Sequence, residues 1–331
     1  MNRWLVTKLS QINSSIYGIT LDTNSNIYFT ANSAIWKLNT NDATSQPTVL
    51  IGNRELNSML VGITWSNNKL YTCDWTLHKI YELNLETGIL LTLTPTSSKK
   101  GGYKDGDLKE ALFRSPWGII SHNNSLYVTD KHHIRKIDLT KQTVETIAGS
   151  THSDEISFSD GNALTQAKFS FPAGLALDHK DGSFFVCDFS NHCVRKVKDG
   201  VVSTVVGKPQ KYGCQSGPIS ETLFINPVWL VLNDDGTLTV SAGKTIRKVD
   251  LAANLVSDSK FGIQLQFGDS CIARDKDGTL YAGTKEGYIL KLQPAWKVER
   301  VLWIGHLKED AKSCYWPRLP KELIEEIWKL C

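Results

Sequence analysis

The sequence predicts an all-β fold: a six-bladed β-propeller of four-stranded antiparallel blades, followed by a short C-terminal helix. Three observations carry that prediction. A short apolar strand, usually with an aromatic near its centre, begins at positions 27, 70, 126, 184, 238 and 280. An Ile/Val-x-Lys-like strand follows each copy in step, and three of the units are preceded by a longer connector with one shared spelling. Self-similarity at a period of about fifty residues is the mark of a repeat architecture, in which each unit buries its faces only against its neighbours.

Taken in chain order, Trp4 to Leu9 reads as an outer strand expected to complete or extend the last blade, a place for which Lys297 to Ile304 competes. The second strands of the units are Ile27-Tyr28-Phe29-Thr30, Leu70-Tyr71-Thr72-Cys73-Asp74, Leu126-Tyr127-Val128-Thr129-Asp130, Phe184-Phe185-Val186-Cys187-Asp188, Leu238-Thr239-Val240-Ser241 and Leu280-Tyr281-Ala282-Gly283. The third strands begin at Ile35, Ile80, Ile134, Val194, Ile246 and Ile289, and fourth strands such as Val144 to Gly149 and Val202 to Gly207 close most units. Strands rich in β-branched and aromatic residues, separated by Asn, Asp and Gly turns, indicate antiparallel sheet. A single such sheet leaves two apolar faces wet, and a ring of six covers nearly every face and edge. The propeller is expected over residues 1–305 and a separate tail over 306–331.

The connectors read Asp105-Gly106 to Ala111, Phe113 and Pro116; Asp160-Gly161 to Ala167, Phe169 and Pro172; and Ser216-Gly217 to Thr222, Phe224 and Pro227. The glycine reverses the chain, a helical turn brings the Phe inward as an anchor, and the Pro holds the chain extended into the innermost strand. They are expected to build up one end of the ring.

Composition narrows the function classes. With 37 Lys plus Arg against 34 Asp plus Glu the net charge is +3, which gives no general attraction to nucleic acid or to a membrane surface. The seven cysteines are odd in number and lack a CxxC pair. They read as free thiols in a reducing compartment. No signal peptide or membrane-spanning run is visible, so a cytoplasmic protein is expected; the glycosylation-type triplets at Asn13 and Asn123 fit the secreted alternative.

His78, His132 and His192 share one register, two residues before the third strand. Stacked sheets stand about 10 Å apart while zinc needs nitrogens at about 2 Å, so these rings are expected to cover blade edges and no metal is assigned. Asp74, Asp130 and Asp188 end second strands, and Arg135, Arg195 and Arg247 open third strands. An Asp–Arg pair locking the turn or bridging blades is the expected role. Blade two has Tyr81 in place of the Arg, and blade five has no Asp. The innermost strands, from Gly18-Ile19-Thr20 to Cys271-Ile272-Ala273, are almost wholly apolar or hydroxylic. No nucleophile elbow, zinc-protease helix or phosphate loop occurs, and no catalytic residue or cofactor is assigned.

The turns between second and third strands, with the starts of the inner strands, should share one end of the ring. They bring together Trp75, His78, Trp117, Lys131, His132, Phe189, His192, Trp229, Lys244 and Lys285 as candidate partner-contact residues. Aromatics beside Lys and His suit a protein or single-stranded RNA. Trp117 and Trp229 can equally plug the channel. In the tail, Trp316-Pro317-Arg318-Leu319-Pro320 introduces a short helix over Lys321 to Leu330 whose apolar stripe includes Leu323, Ile327 and Trp328, candidate contacts if the helix binds another protein rather than docking on the propeller.

The spelling Asp-Gly, Ala-x-Phe, Pro-x-Gly-(Ile/Leu), Leu-Tyr-Val-x-Asp, His-x-(Ile/Val)-Arg-Lys and Thr-(Ile/Val)-x-Gly resembles NHL repeats, almost in full over residues 102–207. That resemblance implies a propeller. It leaves function open, since NHL propellers include protein-interaction modules, RNA-binding modules and relatives of lyases and hydrolases that hold a channel metal. Leu319, Pro320, Glu322, Leu323 and Ile327 resemble the opening of an F-box, which would imply a ubiquitin-ligase adaptor. The expected function is a non-enzymatic, monomeric, cytoplasmic scaffold that recognises a protein partner with one end of the ring, without a membrane. The alternatives are an RNA-binding propeller, then a channel-metal lyase or hydrolase.

Overall fold

The computed structural model describes residues 3–294 apart from 43, 53–57, 96–100, 151–156 and 262–269. The C-terminal segment with Leu323, Ile327 and Trp328 therefore lies outside the described residues. Six sheets are present among the described residues; in blades one to five the first four strands follow one another outward in chain order, and in blade six the first three do. Blade one comprises Ile16–Leu21, Ile27–Ala31, Ala34–Leu38 and Thr48–Gly52; blade two comprises Leu60–Ser66, Lys69–Asp74, Lys79–Asn84 and Leu90–Thr92. Blades three, four and five begin with inner strands Pro116–His122, Pro172–Leu177 and Pro227–Leu232. Blade six holds Cys271–Arg274, Leu280–Gly283 and Tyr288–Pro294, and its fourth strand is the N-terminal Arg3–Gln11, antiparallel to Tyr288–Pro294. The expected closure of the last blade by the N-terminus is therefore what the register gives. Each inner strand packs on the next, and that of blade six on that of blade one, so the six sheets form a closed ring. Among the described residues no helix is long and apolar enough to cross a membrane.

Local chemistry explains the tight spacing. Two-residue hairpins with a type I′ turn need positive φ at both central positions, and Asn67-Asn68 (48° and 59°) and Asn123-Asn124 (46° and 57°) supply it. Near the axis the inner strands nearly touch: a Cβ on Gly62 would stand 2.2 Å from the Trp117 carbonyl oxygen, and one on Gly118 2.3 Å from that of Ala173. Second-strand hydroxyls stitch neighbours together there. The Oγ1 of Thr30 donates to the Val61 carbonyl at 2.6 Å, that of Thr129 to Ala173 at 2.8 Å, and the Oγ of Ser241 to Ser270 at 2.7 Å, each in the following blade.

The blades are not uniformly four-stranded. Gly106–Asp107, Gly161–Asn162 and Gly217–Pro218, each at the head of a connector, add a short antiparallel fifth strand outside blades three, four and five. Lys260–Phe261 pairs in parallel with Arg3–Trp4 at the edge of blade six. Blades one and two stop at four. From that outer strand each connector crosses the end of its own blade to the inner strand, burying Phe113, Phe169 and Phe224 on the way.

Candidate functional site

The connector end of the ring is organised around buried arginines. Arg135 is fully buried, and all five of its N–H groups have acceptors: Nε and Nη2 reach Asp105 Oδ1 (3.0 and 2.6 Å), Nη1 reaches Asp130 Oδ2 (2.9 Å), and the carbonyls of Leu112 and Lys104 take the rest. Its guanidinium lies 4.8 Å from the ring centroids of both Tyr103 and Phe113. Arg195 repeats the arrangement with Asp160, Asp188, Lys168 and Ser159, against Phe158 and Phe169. The expected Asp–Arg lock is present, and the connector aspartate is its second half. Each Arg thus sits between one fully buried carboxylate and one part-exposed carboxylate, and burial pushes Asp130 up to about 7 and Asp188 up to about 6 against the opposing pull of the guanidinium.

Blades two and five depart from the pattern as their sequences do. Asp74, without an Arg, accepts instead from Ser58 Oγ and from the amides of Met59, Thr76 and Leu77. In blade five Ala242 stands at the strand-end position, and Arg247 has the fourth-strand Asp258 at 3.0 Å from its Nε, misaligned for a hydrogen bond, plus the carbonyls of Leu223 and Gln215.

The in-register histidines also bridge blades, by a contact not legible in the sequence. His78 Nδ1 accepts from the Ser115 amide at 2.9 Å, His132 Nδ1 from Phe171 at 3.5 Å, and His192 Nδ1 from Asn226 at 3.2 Å. In each case the donor is the residue before the connector Pro of the next blade. Burial holds His78 and His192 below the ordinary imidazole value, which keeps them neutral acceptors.

The structure distributes the sequence candidates unevenly over this end. Trp75, Lys244 and Lys285 are exposed; His78, Trp117, Lys131, Phe189 and His192 are half-buried; His132 and Trp229 are buried. Trp229 stands where the inner strands of blades one to four carry Gly, and its ring packs against Gly174. Phe171 and Arg114 are exposed on the connectors and belong to the same end. Their signal was their position, just before the connector Pro.

Sequence reasoning also passed over the opposite end. There the hairpins between first and second strands surround a cavity of about 590 Å³ whose apolar floor includes Ile63, Ile119 and Leu175, and whose rim carries Trp65, His179, Lys180, Asp234 and Arg274. Arg274 pairs with Asp234 across blades six and five, and the His122 and His179 rings lie 4.9 Å apart. Among the described residues no three His, Cys, Asp or Glu side chains converge to hold a metal ion.

Comparison with known proteins fits this geometry. The NHL repeat profile matches residues 169–197, which hold the blade-four lock from Phe169 through Asp188 to Arg195. "NHL repeat-containing protein 2" of Homo sapiens is 50% identical over 50 residues, 14% of this chain and 7% of that protein. "Protein SUPPRESSOR OF QUENCHING 1, chloroplastic" of Arabidopsis thaliana is 34% identical over 136 residues, 38% of this chain and 12% of that protein. The chain thus matches only a small part of these curated relatives. Among solved structures, a Bacteroides thetaiotaomicron protein of unknown function superposes with TM-score 0.65 at 16% identity, over 87% of this chain and 75% of that one. A streptogramin B lyase does so with TM-score 0.61 at 13% identity, over 88% and 97%, and a putative gluconolactonase with TM-score 0.60 at 11%, over 88% and 92%. These likenesses reach the fold alone. The chain is thus a six-bladed β-propeller that carries an NHL repeat over residues 169–197.

Proposed function

We propose that this propeller is a protein-interaction scaffold whose connector end docks an acidic segment of a partner. The observation that carries the reading is an asymmetry of charge at that end. The strand-end carboxylates Asp74, Asp130 and Asp188 are buried, and the part-exposed connector carboxylates Asp105 and Asp160 are engaged by Arg135 and Arg195, whereas Arg114, Lys244 and Lys285 are exposed, as are Trp75 and Phe171; Asp107, Glu110, Glu221 and Glu286 are the exposed acids that offset them. Aromatic anchors within a basic surround favour an acidic partner, with the charges governing association rate more than affinity.

The test is affinity capture from source cells with the wild type, with a W75A/K244E/K285E variant, and with a K180E variant at the opposite end. A partner retained by K180E and lost by the triple variant is the expected result. Equal retention by all three removes the connector end from the reading. Loss of the captured material on nuclease treatment turns the reading towards RNA.

A further inference from the structure

The three inter-blade histidine bonds share an unusual feature. The amide each one holds belongs to a residue in the left-handed region, Ser115 at φ 58°, Phe171 at 49° and Asn226 at 43°, and each precedes a proline. That conformation is unfavourable for a non-glycine residue, so it persists where its surroundings hold it. The imidazole acceptor is one such restraint, and it acts only while Nδ1 carries no proton.

We propose that His78, His132 and His192 make the connector end proton-sensitive: protonation at Nδ1 releases the chain reversals at Ser115, Phe171 and Asn226 and so loosens the face that includes Arg114 and Phe171. The proposal rests on the docking role given above to that face. Protonation would set an N–H against an N–H, turning each acceptor bond into a repulsion.

The surroundings set the direction. Burial lowers His78 most, Asp74 opposes it, and Lys79 and Arg114 add to it. Gly101 lies over the His78 ring, where even a Cβ would come within 2.6 Å. Burial also dominates at His192, opposed by a hydrogen bond with the Asn226 side chain; the ring faces that of Tyr212 at 5.8 Å, and Asp188, four residues earlier, is engaged by Arg195 and Asn191. His132 sits among Asp130, Lys131 and His133 and packs against the Phe171 ring at 4.9 Å. For His78 and His192 the folded value lies below the unfolded one, so their contribution is present above the ordinary imidazole range and is lost as pH falls through it. Asp130 and Asp188, raised by burial, act in the opposite sense and favour folding as pH falls. A global melting temperature mixes the two, so the readout must be local.

Amide hydrogen exchange of the free protein, corrected for intrinsic rates, supplies that readout. From about pH 7.5 to about pH 5.5, which spans the imidazole range, protection at Ser115 and Asn226 is expected to fall by up to about tenfold. Gly118, whose amide is held at 2.7 Å by the Thr129 hydroxyl, is the pH-independent reference. In a H78N/H192N variant the pH dependence at both amides is expected to vanish. Unchanged protection, an equal fall at Gly118, or a fall that survives in the variant would each overturn the proposal. No partner is present in this experiment, so its failure is distinct from failure of the docking reading.

Discussion

Blades four and five carry the same arginine at the same point of the third strand and hold it differently. Arg195 receives two carboxylates, one from its own second strand and one from the connector, and all five donors are met. Arg247 keeps one half-exposed carboxylate and two carbonyls, and its Nε has no aligned acceptor. The substitutions that remove the two acidic positions, Ala242 and Ser216, are partly offset by Asp258 arriving from the fourth strand, which also takes the Ser216 hydroxyl at 2.9 Å. A buried cation therefore constrains what may change around it: a carboxylate may move but must remain within reach.

The sharpest way to break the comparison is to remove a carboxylate from each blade. Asp188→Ala strands a fully buried guanidinium with a half-exposed partner, and a loss of about 3–5 kcal/mol in denaturant unfolding is expected. Asp258→Ala is expected to cost less, because that carboxylate is already about half exposed to water. Equal losses would mean that the two locks are energetically alike.

Axial packing provides the next contrast. Gly118→Ala drives a methyl into the Ala173 carbonyl and is expected to cost about 1–3 kcal/mol, measured the same way.

A smaller effect separates the axial hydroxyls. Thr129→Val removes both the donation to Ala173 at 2.8 Å and the acceptance from the Gly118 amide at 2.7 Å, and about 1 kcal/mol is expected. Ser241→Ala loses the bond to Ser270 and a longer 3.3 Å acceptance from the Trp229 amide, so its cost should be lower. Lys244→Glu with Lys285→Glu touches neither lock nor axis. Stability should stay within about 0.5 kcal/mol while partner capture falls, which separates recognition from folding.

Much of this was legible because a repeat states its chemistry several times. The strand pattern, the inward Phe of each connector and the Asp130–Arg135 and Asp188–Arg195 pairs all follow from residues near each other in the chain. The connector carboxylates were not paired with the arginines in advance. Asp105 and Asp160 lie 30 and 35 residues upstream of them and arrive only when the head of the connector adds its fifth strand. The histidine register was visible, but each partner is a backbone amide 34 to 39 residues further on in another blade, and an amide carries no side-chain signature. The charged rim at the opposite end escaped notice because Asp178, His179 and Lys180 read as ordinary turn residues.

By itself the sequence determined the number of sheets and which side chains face inward, since alternation along a strand and a recurring period are properties of the chain alone. Only the closed ring decided which blade supplies the acceptor for its neighbour's amide and which glycine sits under another carbonyl. Those contacts join residues held together by no local geometry, and they form only where neighbouring blades meet.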